Sequence, residues 1–406
     1  MPLLSFVRFF TTLLSLAILS MAAYFLWSWY EGDLVRDGAG GTRLVRDDWR
    51  LWIGLGLLAW SLLGRSLVAP LLARGDQRPT KAARGEGLMR ASPTGSSLYV
   101  ETCGRPEAAP IIFTHGWGMD STFWRYAKED LGDRFRLIFW DLPGLGKSKA
   151  AGREGISLEA FAADLAALVD LAGGRRPVLV GHSIGGITIQ TLIRDNPQIQ
   201  NRLAGLVLLN TTYTNPLTTM VLAGLLKFLQ RPVLEPAMQL VMALQPLAWL
   251  LKWQSYLSGS SHLAHRLGFG RFVTRSQLEH VTLLSTRNPP RVMARGDLAM
   301  FHWDATGALA RLRIPALVIG GDKDIVTKLE ANRAIAEETD MAVLEVVQGA
   351  NHMGPMERAD LYNRMIADFV LRVQPSASAD VGPPPAEDDF KERPIGSPPG
   401  SQPRAN

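Results

Sequence analysis

The chain has 406 residues, of which 47% are hydrophobic and 20% are charged, with 43 Lys+Arg against 38 Asp+Glu. A chain of this length accommodates two or three folded units. The small basic excess forms no basic stripe with interleaved aromatic residues, which argues against nucleic acid as a partner. The single cysteine, Cys103, excludes an internal disulfide and a multi-thiolate zinc site.

The first predicted element is a membrane anchor. Residues 9–30 run for 22 positions without a charge, and a helix of that length spans the hydrocarbon core of about 30 Å. Trp27, Trp29 and Tyr30 close the segment, as aromatic residues do at a membrane interface. A cleaved signal peptide and a buried core helix are the alternatives. Because the stretch is longer than the apolar part of a signal peptide, we expect an uncleaved anchor.

A second span is predicted at 51–73, which is apolar except for Arg65. An arginine near the end of a membrane helix can extend to the lipid headgroups. We therefore expect residues 1–75 to form a membrane anchor of two spans joined by the charged segment 31–50.

The distribution of basic residues indicates the orientation of this hairpin. Arg8 and residues 74–90 together carry more basic side chains than the connecting segment 31–50. The positive-inside rule then places the N-terminus and the large domain on the cytoplasmic side.

Residues 88–373 have the pattern of an α/β domain. Short β-rich runs alternate with helical patterns, which predicts a mostly parallel sheet covered by helices on both faces. The alternation is interrupted at about 211–305, where a Leu- and Met-rich sequence predicts an inserted helical cap. Residues 374–406 are rich in proline and poor in large apolar side chains, so we expect a disordered tail. The predicted strands are 98–102, 111–114, 135–140, 178–180, 205–209, 315–319 and 342–347.

A candidate nucleophile lies at Ser183. The sequence Gly181-His182-Ser183-Ile184-Gly185 follows the apolar run 178–180 and precedes a helical pattern. Gly-x-Ser-x-Gly between a strand and a helix is typical of a sharp turn that exposes a reactive serine. The start of the following helix would direct free N–H groups towards an oxyanion formed beside that serine.

Serine is a poor nucleophile unless a base and an orienting acid accompany it. Among the seven histidines, only His352 follows a predicted strand on the C-terminal side of Ser183. Two acids, Asp322 and Asp324, follow the strand 316–319. We favour Asp324 as the partner of His352 and expect Asp322 to cap the turn.

Two alternative interpretations of these acids and histidines are weaker. Asp322 and Asp324 also fit the Asp-x-Asp signature of haloacid-dehalogenase-type phosphatases, but that leaves Ser183 and His352 without a role. The pair His262 and His265 lacks the spacing and the glutamate of a zinc-protease helix, so no metal is expected.

Five motifs in this order resemble the α/β-hydrolase superfamily over about residues 90–373. They are His115-Gly116-Trp117-Gly118, the run 140–148 (WDLPGLGKS), GHSIGG at 181–186, GGDKD at 320–324 and GANHMGPME at 349–357. The run 140–148 has Asp141 where a nucleotide-binding phosphate loop needs glycine, so we interpret it as a tight turn beneath the site.

The resemblance implies an α/β-hydrolase fold with a cap and a Ser183–Asp324–His352 triad. It also implies an oxyanion hole formed by the backbone N–H groups of Trp117 and Ile184, and it implies no cofactor. A serine at position 183 disfavours dehalogenase and epoxide hydrolase activities, which need a carboxylate there. The expected reaction is acyl transfer from an ester.

The composition of the cap indicates the substrate. Residues 217–257 contain four charges in 41 positions, which favours an apolar acyl ester or a lipid-like substrate and a protein that contacts the lipid bilayer. Packing of the cap helices on one another explains the same composition. A C–C bond or lactone hydrolase with the same triad, and a non-catalytic binding protein on the hydrolase fold, are the alternative functions.

Overall fold

The computed structural model describes residues 2–36, 41–76, 78–80 and 82–374. Apart from Gln374, the predicted tail therefore lies outside the described residues. The chain begins with two helices joined by an antiparallel ribbon and followed by a short third helix. In chain order these are α1 (Pro2–Glu31), β1 (Asp33–Arg36), β2 (Thr42–Val45), α2 (Asp48–Leu63) and α3 (Arg65–Leu72).

The first of these helices has the predicted length and composition of a membrane span. Within the described residues, Phe10–Glu31 is the one unbroken helix long and apolar enough to cross a bilayer. It packs antiparallel to α2: Leu26 lies against Gly54, and Arg50 Nη1 donates a hydrogen bond to Ser28 Oγ at 3.1 Å. The helical hairpin thus forms, and one of its helices is long and apolar enough to span a bilayer.

The second predicted span is bent. Helices α2 and α3 meet the length requirement only as a pair, and their axes differ by 59° at Gly64. A Cβ at Gly64 would lie 2.6 Å from Ser258 O, so this glycine allows the chain to touch the cap. Arg65 Nη1 donates to Tyr256 Oη at 2.7 Å and to Glu279 Oε1 at 2.6 Å. The sequence suggested headgroup contact for Arg65, whereas the structure pairs it with protein groups.

The predicted parallel sheet is confirmed and has eight strands, in the order β10-β9-β8-β7-β5-β6-β4-β3. Six are parallel, and β3 and β4 are antiparallel at one edge. The edge strand β3 was not predicted from the sequence. The bounds are β3 (Gly87–Ala91), β4 (Ser97–Gly104), β5 (Pro110–Thr114), β6 (Arg136–Trp140), β7 (Val178–His182), β8 (Gly205–Leu209), β9 (Ala316–Gly321) and β10 (Ala342–Val347).

Helices cover both faces of the sheet because its central strands are apolar on both sides. Adjacent residues such as Ile111 and Ile112 enter different hydrophobic cores. The core that contains Ile112 includes side chains of α5 (Leu158–Leu168), α6 (Ile184–Asp195) and α14 (Leu329–Glu337). The core that contains Ile111 includes side chains of α4 (Arg125–Leu131), α12 (Arg275–Arg287) and α16 (Ala359–Val373).

The segment between β8 and β9 is helical, as expected for the cap at 211–305. Pro232 lies in a π-helical turn, and Pro236 and Pro246 lie in the first turns of helices, where a missing N–H costs nothing. The cap helices are α7 (Pro216–Thr219), α8 (Ala223–Leu229), α9 (Glu235–Ala243), α10 (Gln245–Leu257), α11 (Ser260–Arg266), α12 and α13 (Pro290–Phe301), and α15 (Gly354–Glu357) follows β10.

Candidate active site

Ser183 lies at the turn between β7 and α6, beside the point where the strand order reverses between β5 and β7. Its φ of 55° and ψ of −116° are rare for a residue with a side chain. Neighbouring glycines make this turn possible. A Cβ at Gly181 would lie 2.4 Å from the carbonyl carbon of Gly185, and one at Gly185 would lie 2.3 Å from Thr114 O.

Asp324 and His352 form a hydrogen-bonded pair below this turn. Each side chain is fully buried, and His352 Nδ1 lies 2.9 Å from Asp324 Oδ2. Thr327 supports the carboxylate, since its Oγ1 donates to Oδ2 at 2.8 Å and its backbone N–H donates to Oδ1 at 2.9 Å. Val326 N also donates to Oδ1, at 2.8 Å.

The charge of Asp324 determines where the imidazole holds its proton. Burial opposes ionisation, but His352 and the surrounding donors outweigh it and hold the pKa of Asp324 below its ordinary value. An ionised carboxylate can only accept hydrogen bonds, so Nδ1 of His352 carries the proton. This leaves Nε2 as a proton acceptor. Nε2 is buried, and among the described residues it has no hydrogen-bond partner.

The two candidate acids, Asp322 and Asp324, have different surroundings. Asp322 Oδ1 accepts the backbone N–H of Gly349 at 2.5 Å, and its Oδ2 lies 3.2 Å from Lys323 Nζ. It therefore joins the loop after β9 to the loop after β10. Asp324 is the acid that contacts His352.

Backbone contacts hold Ser183 close to this pair. Ser183 N donates to Leu209 O at 3.0 Å. Asn210, which follows Leu209 in the chain, donates from Nδ2 to Asp324 Oδ2 at 2.9 Å. On the other side, His182 Nε2 lies 2.9 Å from His352 O. No hydrogen bond joins Ser183 Oγ to His352 in the described chain, and such bonds are often long in enzymes without substrate.

The predicted oxyanion donors lie beside Ser183. Ile184 begins α6, and Trp117 follows Gly116, where a Cβ would lie 3.6 Å from Ser183 Cβ. The Trp117 side chain packs on Gly296 of α13, and its Nε1 donates to Met293 O at 3.3 Å. The indole thus fixes the loop that carries the N–H group.

Sequence reasoning missed the role of Asn210. Asn210 is the residue that directly follows β8. In the structure its φ is 44°, its amide donates to Asp324, and its Oδ1 accepts the hydroxyl of Tyr362 at 2.6 Å. The position after a central strand was the available signal, but its partners are more than 100 residues away in sequence.

The other two histidines of the motifs are buried and hydrogen-bonded to backbone groups. His115 is buried, with Nε2 accepting the N–H of Leu142 at 3.0 Å. His182 is buried and stacks on Phe123, with ring centroids 4.9 Å apart. Burial, reinforced by the nearby His352, lowers the pKa of His182 to about 3.

This lowered pKa predicts loss of stability in mild acid. The unfolded chain protonates His182 below pH 6.5, whereas the folded chain does not. The contribution of His182 to stability is therefore fully present above that pH and is lost as the pH falls towards 3. One such group contributes about 1.4 kcal/mol for each pH unit. We expect the thermal midpoint to fall less between pH 7 and pH 5 in His182→Gln than in the unsubstituted protein. Equal falls would contradict this prediction.

Comparison of this sequence with known protein families identifies the family of the chain. The sequence profile of the alpha/beta hydrolase fold matches residues 109–359. The chain belongs to the α/β-hydrolase family. The match leaves the N-terminal helices outside it and includes all five predicted site residues.

Named relatives agree with a hydrolase. A Caulobacter sp. (strain K31) protein named as a carbamate hydrolase, RutD, is 25% identical over 69% of this chain and 97% of its own length. A 2-hydroxy-6-oxononadienedioate/2-hydroxy-6-oxononatrienedioate hydrolase of Burkholderia vietnamiensis is 26% identical over 64% of this chain and 87% of its own.

Solved structures show the same fold. A thermophilic esterase from Thermogutta terrifontis is 24% identical, with a TM-score of 0.51 over 71% of this chain and 99% of the esterase. The family match and the named relatives support hydrolase activity.

Proposed function

We propose that this protein is a membrane-anchored serine hydrolase that cleaves an ester through an acyl-enzyme on Ser183. The observation that carries the proposal is the buried Asp324–His352 pair, which leaves His352 Nε2 free to accept a proton beside a strained serine.

The reaction follows from these positions. His352 Nε2 removes the Ser183 proton as Oγ attacks the acyl carbon, and Asp324 stabilises the imidazolium. The backbone N–H groups of Trp117 and Ile184 bind the oxyanion, each worth about 3–4 kcal/mol in the transition state. His352 then protonates the leaving alcohol, and water attacks the acyl-enzyme with the same base.

A fluorophosphonate probe tests the nucleophile directly. Membranes that contain the full-length protein are treated with the probe, and we expect labelling that maps to Ser183. If the folded protein is not labelled, the alternative of a binding protein on the hydrolase fold is favoured. Labelling of a Ser183→Ala variant would contradict the assignment.

The substrate is proposed to be an apolar acyl ester or a lipid-like ester. Supporting this, the cap has an inner apolar cluster that packs around Leu217, Met220 and Phe301 and touches Ile325, the neighbour of Asp324. An acyl chain beside this cluster would remove further apolar surface from water, at about 25 cal/mol per Å².

A series of p-nitrophenyl esters measures this preference. We expect kcat/KM to rise from acetate to medium and long acyl chains, by up to about threefold to fourfold per methylene when each is fully buried. A preference for acetate would contradict the proposed substrate class.

A C–C bond hydrolase is the second candidate. It is favoured by the 26% identical relative that is named as a hydrolase of 2-hydroxy-6-oxo dienedioates. Assaying such a vinylogous diketone beside the esters distinguishes the two functions, because the better substrate has the larger kcat/KM.

A further inference from the structure

The cap has an outer face that its own helices do not cover. Large apolar side chains on α8, α9 and α10 are exposed, with Phe228 76% and Leu250 68% accessible. The others on these helices and their connections are Leu222, Leu225, Val233, Leu240, Leu244, Leu247 and Trp249. An exposed apolar surface of this extent marks a site of interaction.

Of the four charged side chains in this segment, two are hydrogen-bonded within the cap and two are exposed. Lys252 Nζ donates to Asn288 O at 2.7 Å, and Glu235 Oε1 accepts from Gln230 Nε2 at 2.9 Å. Lys227 and Arg231 remain exposed, one helical turn apart. The segment has the composition of a membrane element, since Ala223–Ala243 and Gln245–Leu257 together pass the length and apolarity test, with a bend of 100°.

The cap is joined to α1 at a buried polar contact. Ser15 of α1 is 1% exposed, and its hydroxyl bonds to Gln254 and lies 2.8 Å from Ser258 Oγ. Small residues and hydroxyl groups of this kind join helices within membranes. Ser15 is five residues, or about 8 Å along the helix axis, inside the candidate span that begins at Phe10 of α1. The end of α10 therefore lies beside α1 about 8 Å inside that span.

Helix α3 also exposes apolar side chains, and it begins after Gly64, which contacts Ser258 just after α10. Leu63, at the end of α2, and Leu67 and Leu71 of α3 are exposed. A cavity of about 320 Å³ at the end of α3 is lined by Leu71 and by three arginines, Arg74, Arg266 and Arg271. Arginines that flank an apolar surface lie where lipid phosphates are found.

We propose that the outer face of the cap is inserted in the bilayer leaflet on the side of the hydrolase domain. The occupant is lipid rather than a second copy of the chain, because α10 packs on α1 and α2, and these two helices also expose large apolar side chains. On the inner side of α8, Leu226 and Leu229 belong to the apolar cluster that touches Ile325, the neighbour of Asp324. One helix diameter, about 10 Å, thus separates acyl chains from the active site.

A single-cysteine label tests the insertion. In the full-length chain, Cys103→Ser is combined with Leu247→Cys or, as the matched control, with Glu159→Cys on the hydrolase domain. Each protein carries an environment-sensitive fluorophore in phosphatidylcholine vesicles. We expect brominated acyl chains to quench the label at position 247 and to leave the label at position 159 unquenched.

Three results would overturn the proposal. They are absence of quenching at position 247, equal quenching at both positions, and an environment at position 247 that changes when the protein is diluted in lipid, which would indicate a second copy.

The inference rests on the membrane attachment in the proposed function but not on catalysis. Fluorophosphonate labelling of the same samples reports the active site separately, so failure of one proposal is distinguishable from failure of the other.

Discussion

Ser183→Ala should lower ester turnover by roughly 10⁴- to 10⁶-fold, which is the scale of loss when the nucleophile of a serine hydrolase is removed. The remaining rate would come from the oxyanion donors and from substrate binding. We expect His352→Ala to cause a loss of the same order. The double variant should be no slower than either single variant, because base and nucleophile act in one step.

Initial rates on a p-nitrophenyl ester and fluorophosphonate labelling provide the measurement. His302→Ala is the matched control, because His302 is an exposed cap histidine whose ring is 3.4 Å from Glu235. It should keep near-normal rates. Far-ultraviolet circular dichroism and the thermal midpoint establish that each variant is folded. A folded Ser183→Ala protein with more than a tenth of the original activity would exclude Ser183 as the nucleophile.

The sheet could be predicted from sequence where its strands are buried. Strand β8 is an uninterrupted apolar run, β5 is apolar up to its last residue, Thr114, and every residue in both strands is buried. The edge strand β3 was missed because Gly87–Ala91 is short and mostly exposed, so its sequence has no apolar pattern. It is identifiable only through its antiparallel pairing with β4.

Site residues were predictable where chemistry and local position coincide. Ser183 lies in a motif with a local steric cause, and His352 follows a strand that ends at the same edge of the sheet. Asn210 and Arg65 were misjudged because their roles depend on partners far away in the chain. Asn210 contacts Asp324 and Tyr362, and Arg65 contacts the cap. A single sequence without tertiary contacts cannot provide such pairs.

The acid assignment predicts a large difference between two neighbouring aspartates. Asp324→Asn should lower kcat by about 10⁴-fold. Oδ2 of Asp324 is within 2.9 Å of donors on Asn210, Thr327 and His352. In the variant, an amide nitrogen at the position of Oδ2 would face three hydrogen-bond donors and could not accept from them. If the imidazole of His352 then kept its proton on Nε2, it could not act as the base.

Asp322→Asn is the control, because it changes the same group two residues away. Asparagine keeps a carbonyl oxygen for the N–H of Gly349, which is the contact that Asp322 provides. We expect kcat within tenfold of the original value for this variant, whereas Asp324→Asn should fall by the larger factor. If the two effects were reversed, Asp322 would be the acid and the contact between Asp324 and His352 would be structural. If neither variant lost activity, the charge of an aspartate would not orient His352, and the proposed mechanism would lack its acid.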